Sequence, residues 1–219
     1  MKILSLSNEN QIILKWLISE LYRVKPNLDQ YEINLIEKAN LNNSLENDRR
    51  KTLLFYKFGR IAIWKEIPKI SEWLEVEIEE VDIDRLYILP VYDWYLDTGR
   101  SFKLIDTIEN LSPDRGYKFE NIPRQQILHY EKITNMIRNP PTDLNGVVII
   151  TSNIEKGLYT IIDGTHRSSV LAKKGRLVHL RAYIGIAPNL SNCIWSIERV
   201  DIKKHLSELN HLVNCGSMW

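Results

Sequence analysis

Six consecutive residues, Asp163-Gly164-Thr165-His166-Arg167-Ser168, concentrate most of the chemistry this chain offers. They supply an acid, a glycine, a hydroxyl, an imidazole, a guanidinium and a second hydroxyl. Before them runs Tyr159-Thr160-Ile161-Ile162, a β-branched apolar stretch that predicts a short, mostly buried strand. After them Ser169, Val170, Leu171 and Ala172 continue as a helix, with Lys173, Lys174 and Gly175 as a basic end and a glycine stop. A glycine at a strand-to-helix turn allows backbone angles or close approaches that a side chain would block. Backbone N–H groups at a helix start, at the positive end of its dipole, suit an anion. An arginine fork and a histidine of variable charge at that point match phosphate oxygens. The expectation is a phosphate-binding elbow formed by Asp163, Gly164, Thr165, His166, Arg167 and Ser168, with His166 also a candidate catalyst. The plain alternative is a common Asp-Gly turn followed by solvated polar residues.

A second group lies upstream. Asp97-Thr98-Gly99-Arg100 offers an acid, a hydroxyl, a flexible backbone and a cation within four residues, and Asp93 precedes it. Chemically, Asp97 or Asp93 would handle a substrate hydroxyl proton while Arg100 neutralises phosphate charge. Structurally, the same four residues make a good turn.

The Asp-Gly-x-His-Arg pattern after a strand, followed by a small-residue helix and a returning strand, resembles the ParB/sulfiredoxin superfamily, most closely its free-serine kinase branch. The resemblance covers Val147 to Ile184, with Val147-Val148-Ile149-Ile150 as the preceding strand and Leu177 to Ile184 as the following one. It implies an α+β fold: a small mixed sheet with packed helices, here carrying an N-terminal helical and β elaboration. It also implies ATP or ADP as phosphate donor, magnesium (Mg2+), and a small hydroxylated acceptor such as serine. Serine kinases of this kind place a catalytic glutamate upstream of the helix that precedes the central strand. Glu120 is the nearest glutamate in a comparable place, so Asp93, Asp97 and Glu120 compete for the role of proton acceptor. Sulfiredoxin chemistry is disfavoured, because Thr165 stands where that reaction needs a cysteine and a hydroxyl cannot replace a thiolate.

The elements that must position these residues follow from the rest of the chain. The 219 residues are 44% apolar and 26% charged, as in a folded globular chain, with a formal net charge of +1. That balance gives no global basic field for nucleic acid. Asp48-Arg49-Arg50-Lys51 and Lys173-Lys174-Gly175-Arg176 read as solvated faces or helix ends. No apolar run approaches a membrane span, and Met1 to Asn8 lacks a signal-peptide core, so the default location is cytoplasmic. Cys193 and Cys215 are too few for a disulfide framework, and Cys193 reads as a buried packing residue. His205 and His211, six residues apart, have poor same-face spacing for a metal.

Residues 1–80 are expected to form an accessory region, 81–187 the core and 188–219 a C-terminal extension. Within the first, a helix follows Ser7-Asn8 and ends before Pro26, and a second covers Leu28 to Leu45. Leu53 to Phe58 and Ile61 to Trp64 read as two β segments joined at Gly59. Ile70 to Glu80 is open between two readings, since Trp73 to Glu79 alternates as a strand while its glutamates also suit a helix. Arg124 to Arg138 forms a helix ended by Asn139-Pro140-Pro141; its His129 and Glu131 read as surface or helix-pairing residues. Ile202 to Leu212 is a C-terminal helix. The expected function is a small-molecule kinase. The alternatives are a ParB-like nucleotide-binding module without catalysis, or a nuclease, against which the missing basic surface weighs.

Overall fold

The structure, a computed structural model, describes residues 1–24, 27–95, 97–110, 124–139 and 147–214. Glu120 lies outside the described residues. In chain order the elements are β1 (Lys2–Ser7), α1 (Glu9–Val24), α2 (Gln30–Glu37), α3 (Ser44–Thr52) and a π-helical stretch Leu53–Lys57. Then come α4 (Ile61–Glu66), β2 (Glu72–Glu77), a 3-10 turn Glu80–Arg85, β3 (Leu86–Ile88), α5 (Tyr92–Tyr95) and α6 (Thr107–Asn110). The remainder is α7 (Arg124–Arg138), β4 (Val147–Thr151), β5 (Tyr159–Asp163), α8 (Thr165–Lys173), β6 (Arg181–Ile186) and α9 (Ile202–Asn214).

The strands form one six-stranded mixed sheet in the order β1-β2-β6-β4-β5-β3. β4 runs parallel to β6 and antiparallel to β5, and β3 runs parallel to β5. The α+β class expected from the sequence is therefore present. β4 and β5 are buried along their whole length, so their side chains divide by the two-residue period of a strand. Val147 and Ile149 face a layer that includes Trp94, Phe102, Leu171 and Leu209. Val148 and Ile150 face the opposite layer, which holds Ile12, Ile13, Trp16 and Leu17 of α1 with Leu53 and Leu54. Residues 1–80 thus supply two strands of the sheet and one of its helical layers.

Local chemistry explains most of the boundaries. Asn8 Oδ1 accepts from the Gln11 N–H at 3.0 Å, capping α1. Asp29 and Glu32 form a reciprocal capping box at α2. The single helix expected over Leu28–Leu45 is instead two elements, because asparagine side chains compete for the backbone at the break. Asn43 Oδ1 accepts from Glu46 N–H to start α3. Arg50, expected on a solvated face, is buried and donates to the carbonyls of Leu35 (3.1 Å) and Asn40 (2.9 Å), tying the two helices together.

The hairpin expected over Leu53–Trp64 is not formed; both halves are helical. The run is apolar enough to satisfy either period, and Gly59, at φ +69°, serves a helix end as readily as a hairpin turn. Cys193 is fully buried, and burial pushes its thiol up, as expected of a packing residue. Among the described residues, no helix is long and apolar enough to cross a membrane.

Candidate functional site

The strand-to-helix elbow is present as the sequence implied. β5 ends at Asp163, Gly164 takes φ +83° and ψ +12°, and α8 begins at Thr165. A side chain at 164 would be strained by that φ. Its Cβ would also sit 3.0 Å from Val147 Cγ2 and 3.2 Å from a guanidinium nitrogen of Arg167. The irregular register between β4 and β5 beside Val148 and Asp163 helps bring β4 this close to the turn. The first helical bond runs from Ser168 N–H to Gly164 C=O at 2.8 Å. No side chain caps the helix at Gly164, so the backbone end of α8 opens onto a cavity.

That cavity has a volume of about 230 Å³ and lies where the C-terminal ends of the parallel strands β3 and β5 meet. Gly164, Thr165, His166 and Arg167 form one wall with Asp163. Arg60 comes from the end preceding α4, Lys132 and Met136 from α7, and Trp94 from α5. Three permanent cations, Arg60, Lys132 and Arg167, therefore line the cavity against one carboxylate, Asp163.

Each cation is held. Arg167 donates to Asp163 Oδ2 at 3.2 Å. Arg60 donates from Nε (3.1 Å) and Nη2 (2.5 Å) to Oε1 of Glu20, a buried acid on α1. Lys132 Nζ lies 3.3 Å from His166 Nδ1. Such pairing fixes the direction in which each charge points.

A hydrogen-bonded line extends from His166 into the interior. His166 Nε2 is 3.1 Å from His129 Nδ1, and His129 Nε2 is 2.8 Å from Asp97 Oδ2. Asp97 and His129 are buried, 1% and 7% exposed. Trp94, itself buried, packs edge-on against both rings, with centroids at 4.6 Å from His129 and 5.0 Å from His166. Indole packing of this kind excludes water from one side of both imidazoles.

The sequence candidates separate cleanly. Asp163, Gly164, Thr165, His166 and Arg167 all line the cavity. Ser168 does not; its hydroxyl is fully buried and has no hydrogen-bond partner among the described residues. Asp97 also lies behind the cavity wall and connects to it through His129 and His166. Arg100 is exposed at φ +73° and donates to Asn210 Oδ1 on α9, so it faces away from the elbow. Asp93, on α5, is not part of the cavity wall; its neighbour Trp94 is. The Thr98 hydroxyl donates to Trp94 C=O at 2.8 Å and accepts from Phe102 N–H at 2.9 Å, so this segment serves as a structural turn.

His129, Lys132, Trp94 and Arg60 were not expected at the site from sequence. One signal was present: His129, Lys132 and Met136 recur at three- and four-residue spacing on α7, which places them on one helix face. No family model matches this chain, and neither a curated protein nor a solved structure matches it.

Proposed function

We propose that the chain is a phosphotransferase that moves a phosphoryl group from ATP or ADP to a hydroxyl of a small metabolite, a serine-like alcohol being one candidate. The observation that carries this reading is the convergence of Arg60, Lys132 and Arg167 on a glycine-containing elbow at the start of α8. Phosphoryl transfer asks the protein chiefly for positioning and for charge stabilisation of the transferring group. The elbow supplies backbone N–H groups and guanidinium forks for phosphate oxygens. The resemblance of Asp163-Gly164-Thr165-His166-Arg167 to the free-serine kinase branch of the ParB/sulfiredoxin superfamily supports the same chemistry.

Within this reading, His166 is the group that accepts the hydroxyl proton, because it lines the cavity and Asp97 does not. Arg167 and Arg60 bind and orient the donor phosphates. Lys132 follows charge as it develops on the transferring group. Magnesium would neutralise phosphate charge when bound. Among the described residues no group of three or more His, Cys, Asp or Glu is arranged around one point. Magnesium carried on nucleotide phosphates needs only one or two protein carboxylates, and Asp163 is placed to supply one, so the donor set fits an ion that arrives with the nucleotide.

The test is titration calorimetry with ATP, ADP and inorganic phosphate, followed by a transfer screen over hydroxylated metabolites with products identified by mass spectrometry. Arg167→Ala should weaken nucleotide binding about 10- to 100-fold, the worth of a charge-assisted hydrogen bond. Unchanged affinity in a folded Arg167→Ala protein would rule the reading out. Binding without hydrolysis or transfer would leave a nucleotide-responsive module without catalysis.

A further inference from the structure

We infer that Asp97 and His129 are positioning residues that hold His166 in a single tautomer, with its proton on Nε2 and its Nδ1 lone pair directed toward Lys132 at the cavity wall. The argument starts at the two ends of the line, where the roles are forced. An ammonium has donors and no acceptor, so Lys132 Nζ can only donate to His166 Nδ1. His166 then carries its proton on Nε2 and donates it to His129 Nδ1, 3.1 Å away. His129 must in turn carry its proton on Nε2, which it donates to the Asp97 carboxylate at 2.8 Å. A carboxylate only accepts, so the line closes there.

Reversing any one bond places two protons or two lone pairs face to face elsewhere in the line. One direction satisfies all three contacts. Burial of Asp97 and His129, and the packing of Trp94 against both rings, hold that direction by shape as well as by charge. His129 is thus not a surface residue; buried on α7, it pairs that helix with α8 through its bond to His166.

The consequence for transfer rests on the phosphotransferase reading. The acceptor's O–H bond breaks and its proton goes to His166 Nδ1 as Lys132 turns from that nitrogen to the phosphoryl oxygens. The acceptor oxygen forms the new P–O bond, and the donor's bridging P–O bond breaks, with its electron pair leaving on ADP (or AMP, if ADP is the donor). The charge gained by His166 is shared along the line: its Nε2 proton can pass to His129 Nδ1 while His129 Nε2–H stays bound to Asp97. An acid two residues removed thereby stabilises an imidazolium that it never touches.

The experiment is long-range 1H–15N correlation on the 15N-labelled full chain, with His129 and His166 assigned by single Gln replacements. Both rings are expected as Nε2–H tautomers in the parent protein. Asp97→Asn should turn His166 into a mixture of tautomers and lower transfer about 10²-fold or more. His129→Gln, which keeps one acceptor and one donor, should retain more of the single tautomer and more rate than His129→Phe, which keeps only the packing against Trp94. A parent His166 protonated on Nδ1, or an unaltered His166 tautomer in a folded Asp97→Asn protein, overturns the inference. Because tautomer state is read without substrate, it decides the positioning role even if no transfer reaction is found. Transfer that survives with an unaltered tautomer would instead leave the function standing and remove the roles of Asp97 and His129.

Discussion

Two clefts of this molecule differ in a way that volume does not predict. The cavity at the elbow measures about 230 Å³, while the groove between β1, α4 and β2 measures about 530 Å³. The larger one is walled by Trp64, Trp73, Ile67, Pro68 and Ile70, with Glu9, Lys69 and Glu72 around it. Its aromatic rings belong to a packed set: Trp64 stacks on Trp73 at 6.4 Å and meets Trp16 at 6.0 Å. The smaller cavity has three cations, each oriented by a named partner, and a line of bonds leading to a buried acid. The groove lies where α4 fits against β1 and β2. The cavity is where separate elements spend buried polar groups on aiming charge. Buried polar groups cost stability unless satisfied, so their concentration marks function better than empty space does.

That contrast can be broken by experiment. The largest effect is expected from Trp73→Ala, which empties the aromatic set and should cost about 3–5 kcal/mol of stability in denaturant unfolding. The folded variant should bind phosphate as the parent does; a matching loss of anion affinity would mean that the two clefts are one functional unit. Lys132→Met should behave in the opposite way. Calorimetry should show about 1.5–3 kcal/mol less favourable binding of phosphate groups, with little change in melting temperature.

Gly164→Ala should affect both properties, since it forces φ +83° on a residue with a Cβ and crowds Val147. A destabilisation of about 1–3 kcal/mol is expected, together with weaker anion binding. Retained stability would show that the elbow tolerates a side chain. The smallest effect belongs to Ser168→Ala. Removing a buried hydroxyl without a partner among the described residues should change stability by less than about 0.5 kcal/mol, or raise it slightly. A clear loss of nucleotide affinity in that variant would return Ser168 to the binding residues.

The elbow was legible because everything that defines it is local. A β-branched run, one glycine and a small-residue helix occupy fifteen residues, and each short-range preference agrees with its neighbours. The strand at Val147 and the helix over Arg124–Arg138 were legible for the same reason. The line from Asp97 to His166 was not, because its members come from positions 97, 129 and 166, and only tertiary packing of the turn after α5 and of α8 against α7 joins them. The turn at Asp97-Thr98-Gly99-Arg100 carried the right residue types for a site, yet its acid points inward and its arginine points to α9. Arg60 was hidden by the reading of 53–64 as a hairpin. Aromatic and β-branched residues favour strands in general, and there the helical layer over the sheet overrode that preference.

The grip of α7 on the His166 ring has a mechanical side. His129 holds the ring at Nε2 and Lys132 holds it at Nδ1, and these two residues stand one turn apart on the same helix. The ring is therefore clasped at both nitrogens by a single rigid rod. A slide of that rod by one residue's rise, about 1.5 Å, would disturb both contacts together. The proton acceptor's orientation and the position of the cation beside it both depend on where that helix sits. A displacement of α7 thus acts as one lever on two quantities, the hold on phosphate and the readiness of the imidazole.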